Sequence, residues 1–476
     1  MKNTKKTKRE RIIILIIIAV TIILISILKP VDYDMSWEFN WILNIVNGKI
    51  PYKDFNMVVT PLYLYMMSIP VLFLKNIIGY KIACILFIAS MSYVFFIVIK
   101  MTIKQEKLSY TILSLFVVLI SSIGPNYNIA VILFGYAAGI FIIFFIRNNN
   151  KALLSLSGIM LALCILCKQS TGSIIALLIF IYLIYYLIKN KKSINILYMV
   201  LPFFGVFLLT TLFLLKANAL KEFIELTILG LLKFRQNIHL FLFEQGNDIY
   251  GNLSGIFLII LITLNIILNI KIKNEEILIL QIIALGNLSG IYPIMNFIHN
   301  MIAAIPLLLT LFLLISKFIE DTTVNNIIIY LFLGGIMIFA FSINAIINAT
   351  LCKNGYLKNA FIKNACYEKV IDIDIYKSKH EDYILYSPEE SYTLEQLYDN
   401  KSVDGFLSIF HEANLGNMTV IEALQQYEGQ KNTYMYIYKD RKLCEINQTP
   451  LSAIKYIEEN YELVNTTEFY KIYKVK

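Results

Sequence analysis

This sequence is short of charge. Only 16% of its 476 residues are Asp, Glu, Lys or Arg, while 58% are hydrophobic; an ordinary soluble domain carries about 25% charged residues. That shortage excludes a water-soluble globule as the main body of the chain, because a core does not need so much apolar side chain and contact with lipid does. Metal-ligating residues are also few, with four His and six Cys. Cys164 and Cys167 form a CxxC, but inside an apolar run and without a second pair, so helix filler is the plainer reading beside zinc or redox chemistry. Cys352 and Cys366 could pair only if the tail faces an oxidising side, which the sequence leaves open. No Gly-rich phosphate loop or metal cluster occurs in the tail, and no transporter-type repeat is visible along the chain. No small-residue cleavage site follows the first apolar run, so the basic start (Lys5, Lys6, Lys8, Arg9, Arg11) and Ile12–Leu28 read as an uncleaved first helix.

What is present is a succession of apolar runs from Arg11 to Thr350, many near the ~20 residues that span a bilayer. The 31 Tyr and 31 Phe suit anchoring at two membrane interfaces. The expected membrane helices are 12–28, 82–99, 109–123, 129–146, 152–167, 172–188, 194–215, 253–270, 276–293, 300–316 and 326–347. A further apolar stretch, 61–78, is interrupted by Pro70.

Charge placement decides how that stretch is read. The net charge of +9 divides into −4 from Leu351 onward and +13 before it. The basic residues sit between apolar runs, so they read as orientation signals rather than a nucleic-acid patch. With the N-terminus in the cytoplasm and 61–78 lying at the interface, the inside turns hold Lys100, Lys104 and Lys107, Arg147 and Lys151, Lys189, Lys191 and Lys192, Lys271 and Lys273, and Lys317. If 61–78 crossed, every later turn would invert against the positive-inside rule. The expectation is therefore an α-helical polytopic membrane domain over 1–349, with about eleven crossings and a first extracytoplasmic loop at 29–81. A small soluble α/β domain over 350–476 would follow outside the membrane. In that tail Tyr383–Tyr386, Tyr434–Tyr438 and Glu468–Val475 read as strands, and Thr393–Tyr398, Val403–Glu412 and Pro450–Tyr461 as helices.

This topology gathers the unusual polar residues on the outer side: loops 29–60, 124–128, 168–171, 216–252 and 294–299. Ionisable groups at membrane level are costly and are functional candidates by default. The first loop holds Asp32, Asp34 and Glu38 directly after a membrane helix, then Pro51-Tyr52-Lys53-Asp54-Phe55, then Pro61-Leu62. With a helix starting near Ser36, Asp34 sits near its N-terminus, where the dipole favours the ionised form and capping is the alternative role. Lys168 and Gln169 interrupt two apolar runs, and a Lys there can also merely snorkel. Asn126 and Asn128 follow a Gly124-Pro125 turn. Asn296 and His299 precede the tenth helix, where a lone His is also a common structural residue. Loop 216–252 carries Lys233, Arg235, Gln236, His239, Glu244 and Asp248, as a cover for a site or a passive interfacial helix.

An Asp after the first helix, an amphipathic segment ending in Asn47-Gly48, then Pro-Tyr-x-Asp-Phe and Pro-Leu, resembles the first extracytoplasmic loop of GT-C glycosyltransferases. The similar branch contains protein O-mannosyltransferases and the aminoarabinose transferase of lipid A, and the likeness runs over roughly residues 10–350. The resemblance implies a GT-C-like fold with Asp34 as catalytic base or acceptor-orienting group and Glu38 as a second acidic group. It implies Lys168, Gln169 and His299 (with Pro306 beyond it) at the donor phosphate. Asp32, Tyr52, Asp54, Asn126, Asn128 and Asn296 would support the acceptor or the loop. Met35 stands where relatives often carry an acidic residue, and Asn296 where Asp or Arg is common. Asp32 and Asp34 make a DxD, which in other GT-C branches accompanies a divalent cation; the metal is otherwise unknown.

The activity so implied is inverting transfer of a sugar from a polyprenyl-phosphate donor to an extracytoplasmic glycan, lipid or protein. The enzyme would sit in a plasma membrane, with its bilayer, donor and acceptor as partners and no nucleic acid. The richness in Ile, Lys and Asn points to a bacterial source. The rivals are a lipid or polysaccharide transporter, which would need charged residues facing a mid-membrane cavity, and a non-catalytic envelope assembly factor.

Overall fold

In lipid, an isolated segment satisfies its backbone only as a helix, and the apolar runs of this chain fold accordingly. The structure is a computed structural model that describes residues 2–29, 33–230, 249–292, 297–318, 384–386, 419–429, 433–439, 451–466 and 470–476. Its helices are α1 (Lys2–Leu28), α2 (Tyr33–Val46), α3 (Leu62–Phe73), α4 (Ile77–Thr102), α5 (Glu106–Ile123), α6 (Tyr127–Asn148), α7 (Lys151–Cys167) and α8 (Gln169–Lys189). Then come α9 (Ile196–Lys216), α10 (Leu220–Ile224) leading into a π-helical turn (Glu225–Leu229), α11 (Ile249–Ile272), α12 (Glu275–Asn287) and α13 (Phe297–Phe318).

Among the described residues, six segments are long and apolar enough to cross a membrane: Ile77–Thr102, Tyr127–Asn148, Gln169–Lys189, Ser193–Lys216, Gly251–Ile272 and Phe297–Lys317. Shorter apolar helices cover Ile12–Ile27, Leu62–Phe73, Leu108–Ile123 and Lys151–Cys167. The chain is an α-helical multi-pass membrane protein. The crossing expected at 326–347 lies outside the described residues.

Two expectations need revision. The helix expected over 276–293 stops at Asn287 and continues as a 3₁₀ turn, Leu288–Ile291. Gly286, Asn287, Ser289 and Gly290 are poor helix formers, and the Ser289 hydroxyl donates to the Gly286 carbonyl at 2.7 Å. The helix expected near Ser36 begins already at Tyr33, so Asp34 lies inside its first turn. Stretch 61–78 contains α3, whose 12 residues reach only about 18 Å against a hydrocarbon core of about 30 Å.

The chain separates into two compact units: Met1–Ile27, Cys84–Thr210 and Arg235–Ile346 in the first, Leu28–Ala83, Thr211–Phe234 and Ile347–Lys476 in the second. In the first, small residues allow close helix packing. A Cβ added at Gly158 would sit 2.2 Å from the Met199 carbonyl oxygen, so α7 and α9 touch backbone to backbone. Three helices also share a buried polar knot. The Asn265 amide donates to the Leu307 carbonyl at 3.0 Å and its oxygen accepts from Thr310 Oγ1 at 2.8 Å and Gln281 Nε2 at 3.2 Å. At one end of the bundle Arg147 grips Glu276 through two hydrogen bonds of 2.6 Å, tying α6 to α12.

In the second unit the described residues of the tail form a four-stranded sheet: β1 (Ile384–Tyr386), β2 (Thr433–Tyr438), β3 (Glu462–Thr466) and β4 (Tyr470–Lys474), in spatial order β1-β2-β4-β3. β1 runs parallel to β2, and β4 antiparallel to β2 and β3. Helices α14 (Val420–Gln425) and α15 (Leu451–Asn460) contribute buried Leu424, Ile454 and Ile457 to a core with Met435 and Ile472. The expected strands near 383–386, 434–438 and 468–475 and the helix near 450–461 are present. β3 and α14 were not anticipated, and the helices expected at 393–398 and 403–412 lie outside the described residues, as do Cys352 and Cys366.

Candidate active site

Helix α5 ends at Gly124, whose φ of 85° lies in the left-handed region that glycine tolerates. Asn126 then caps α6, its side-chain oxygen accepting from the Ile129 N–H at 3.0 Å. This puts Tyr127 and Asn128 in the first turn of α6. Across from it α7 ends at Cys167 and α8 starts at Gln169, leaving Lys168 in an extended conformation between them. Gly172 permits the tight junction: a Cβ there would lie 2.6 Å from the Cys164 carbonyl oxygen.

The Lys168 ammonium is held from two sides. Nζ donates to the Asn128 side-chain oxygen at 2.6 Å and stands 5.7 Å from the centre of the Tyr127 ring, a charge-assisted bond with cation–π support. Burial pulls the Lys168 pKa down to about 8, so near neutral pH it is still mostly cationic. The same residue precedes the first turn of α8, where backbone N–H groups lack intrahelical partners and the dipole favours anions. A half-buried lysine and a helix N-terminus therefore coincide at one point, with Gln169, also half-buried, as the first residue of α8.

His299, half-buried as the third residue of α13, lies within electrostatic range of Lys168. The neighbouring Asn300 donates to Ser254 Oγ at 2.9 Å and to the Gly251 carbonyl at 3.3 Å, which fastens this end of α13 to α11. Lys168, Asn128 and His299 are thus brought into one neighbourhood, and Asn126 builds the turn that presents Asn128. Asn296 lies outside the described residues, as do Lys233, Arg235, Gln236, His239, Glu244 and Asp248.

The first loop belongs to the second unit. Asp32 lies outside the described residues, and Asp34 is the second residue of α2. Glu38, one turn further on, is only 1% exposed. Its Oε2 accepts from the Tyr63 hydroxyl at 2.9 Å and the Tyr80 hydroxyl at 3.2 Å. The Pro-Tyr-x-Asp-Phe motif folds on itself. Tyr52 takes φ 68°, uncommon for a bulky residue, and its N–H donates to the Phe55 carbonyl at 2.8 Å. Its hydroxyl donates to the Val59 carbonyl at 2.6 Å and its ring packs edge-on against Phe223 at 5.1 Å. Burial pushes the Tyr52 phenol well up, keeping it a donor. Asp54, exposed, accepts from the Ile50 N–H at 2.6 Å. Tyr52 and Asp54 thus lock the loop.

Tyr63 and Tyr80 were not singled out from sequence; among 31 tyrosines no local pattern marks the two that meet a carboxylate. Among the described residues no three His, Cys, Asp or Glu side chains cluster to hold a metal ion.

No family model and no curated protein matches this chain. Among solved structures it is similar to ArnT from Cupriavidus metallidurans, crystallised with undecaprenyl phosphate, at 10% identity over 98% of each chain and a TM-score of 0.49.

Proposed function

We propose that this protein is a membrane glycosyltransferase that moves a sugar from a polyprenyl-phosphate donor to an extracytoplasmic acceptor. The observation that carries the reading is the Lys168 ammonium, clamped by Asn128 and Tyr127 at the N-terminus of α8 with His299 close by. A lone snorkelling lysine needs no such clamp, whereas a leaving lipid phosphate needs a fixed cation and oriented N–H donors.

In this reading the acceptor hydroxyl oxygen attacks the anomeric carbon from the face opposite the phosphate, which inverts the configuration. The carbon–oxygen bond to the phosphate breaks, and its electron pair goes to the phosphate oxygen. Lys168, Gln169 and His299 offset the charge that develops there. The acceptor proton passes to the Asp34 carboxylate. Loop 29–81, the α7–α8 junction, the start of α13 and the tail 350–476 then lie outside the membrane, and the N-terminus inside.

The test is release of polyprenyl phosphate from the lipid-linked sugars of a native envelope extract, comparing the native protein with Asp34→Asn. Loss of a positioned base lowers the rate by about 10²–10⁴-fold. Undiminished release removes Asp34 from the mechanism. Binding without turnover by the native protein, with inside-to-outside movement of the lipid, identifies a transporter instead.

A further inference from the structure

Glu38 has the wrong surroundings for a carboxylate that meets substrate. Its side chain is 1% exposed, and the two phenols on its Oε2 come from two other helices, α3 and α4. Both tyrosines are themselves fully buried. The ring of Phe39, the next residue of α2, lies 5.2 Å from the Tyr80 ring, so polar and aromatic contacts hold the same turn. One helical turn before Glu38 on α2 stands position 34, and residues four apart share a helix face.

We propose that Glu38 is a positioning residue: clamped by Tyr63 and Tyr80, it fixes the first turn of α2 and so the direction in which Asp34 is presented. The inference rests on the role given to Asp34 above. Hydrogen-bond acceptance, not proton transfer, is then what Glu38 supplies. An amide oxygen can accept from a phenol, so Glu38→Gln preserves the clamp, whereas Glu38→Leu removes it. Tyr63→Phe with Tyr80→Phe removes the same bonds at nearly constant volume, which protects the test if Glu38→Leu fails to fold.

The experiment measures kcat and KM for polyprenyl phosphate release from the envelope extract. Glu38→Gln is expected to keep kcat within about threefold. Glu38→Leu and the double Phe variant are expected to lower kcat tenfold or more at constant KM, and combining them adds little, since one clamp is being removed. Glu38→Gln as inactive as Glu38→Leu would make Glu38 a reacting carboxylate and overturn the proposal; so would full activity of the double Phe variant.

A second readout does not depend on catalysis. In an Asp34→Cys background, the rate of labelling by a membrane-impermeant maleimide is expected to change fivefold or more with either clamp-breaking change and to stay constant with Glu38→Gln. An unchanged rate in all three overturns the positioning role even if the protein proves not to be a transferase. Absence of turnover by the native protein, with labelling as expected, counts against the proposed function alone.

Discussion

Lys168 and Asn128, 40 residues apart in sequence, meet through a 2.6 Å hydrogen bond from ammonium to amide oxygen. The bond joins the α7–α8 junction to the first turn of α6, and it orients the one cation on which the phosphate reading depends. Hydrogen bonds to charged groups contribute about 1.5–3 kcal/mol. Lys168→Met is therefore expected to weaken undecaprenyl phosphate binding by roughly 10–100-fold. Asn128→Leu, which leaves the charge but frees its direction, should cost less. Equilibrium binding in detergent or nanodiscs measures both, and native affinity in Lys168→Met would remove this residue from the donor site.

The same lysine predicts a pH dependence. Burial depresses its pKa to about 8, and a bound phosphate raises the pKa of a neighbouring ammonium. Affinity is then flat below pH 8 and falls as the pH rises through the free-state value, because binding must increasingly take up a proton. Binding isotherms from pH 6.5 to 9.5 check this. Lys168→Arg, which stays charged throughout, should abolish the fall even if its affinity is lower.

The buried knot of Asn265, Gln281 and Thr310 predicts a stability effect without a direct role in chemistry. Asn265→Leu removes the shared centre, so the Leu307 carbonyl loses its amide donor, while Gln281 keeps the carbonyl of residue 265 and Thr310 keeps the carbonyls of Pro306 and Leu307. Each buried hydrogen bond so lost costs about 0.5–1.5 kcal/mol. Thermal unfolding in detergent should show the loss. Gln281→Leu together with Asn265→Leu should cost less than the two single changes summed, because both remove the same side-chain bond between the two residues.

Gly158 predicts the consequence of lost contact between α7 and α9. With a Cβ only 2.2 Å from the Met199 carbonyl oxygen, Gly158→Ala must push backbone from backbone. Overpacking of this kind costs about 1–3 kcal/mol. The Gly205→Ala change in α9, where a Cβ meets nothing within 4 Å, is the matched control. Equal thermal stability of the two variants would contradict the close approach.

Much of the helical architecture is legible in local sequence. Hydropathy is a property of consecutive residues, so the runs that became α4, α6, α8, α11 and α13 stand out with their ends near basic residues and asparagine caps. Local signals also mark the turns: Gly124-Pro125 before α6, Pro70 in a helix too short to cross, and the alternation that becomes β2 in the tail. Where local propensity is mixed, as from Gly286 to Gly290, hydropathy alone overextends the helix.

The sequence by itself determined which segments enter lipid and which polar residues were left over to explain. Only the tertiary structure decided their partners. It joined Lys168 to Asn128 and Tyr127, brought His299 within electrostatic range of Lys168, and made Glu38 a buried acceptor for Tyr63 and Tyr80. The physical reason is that burial of an apolar face follows from the spacing along one helix. The meeting of two polar side chains depends on how several helices pack, and no periodicity within a single segment encodes that.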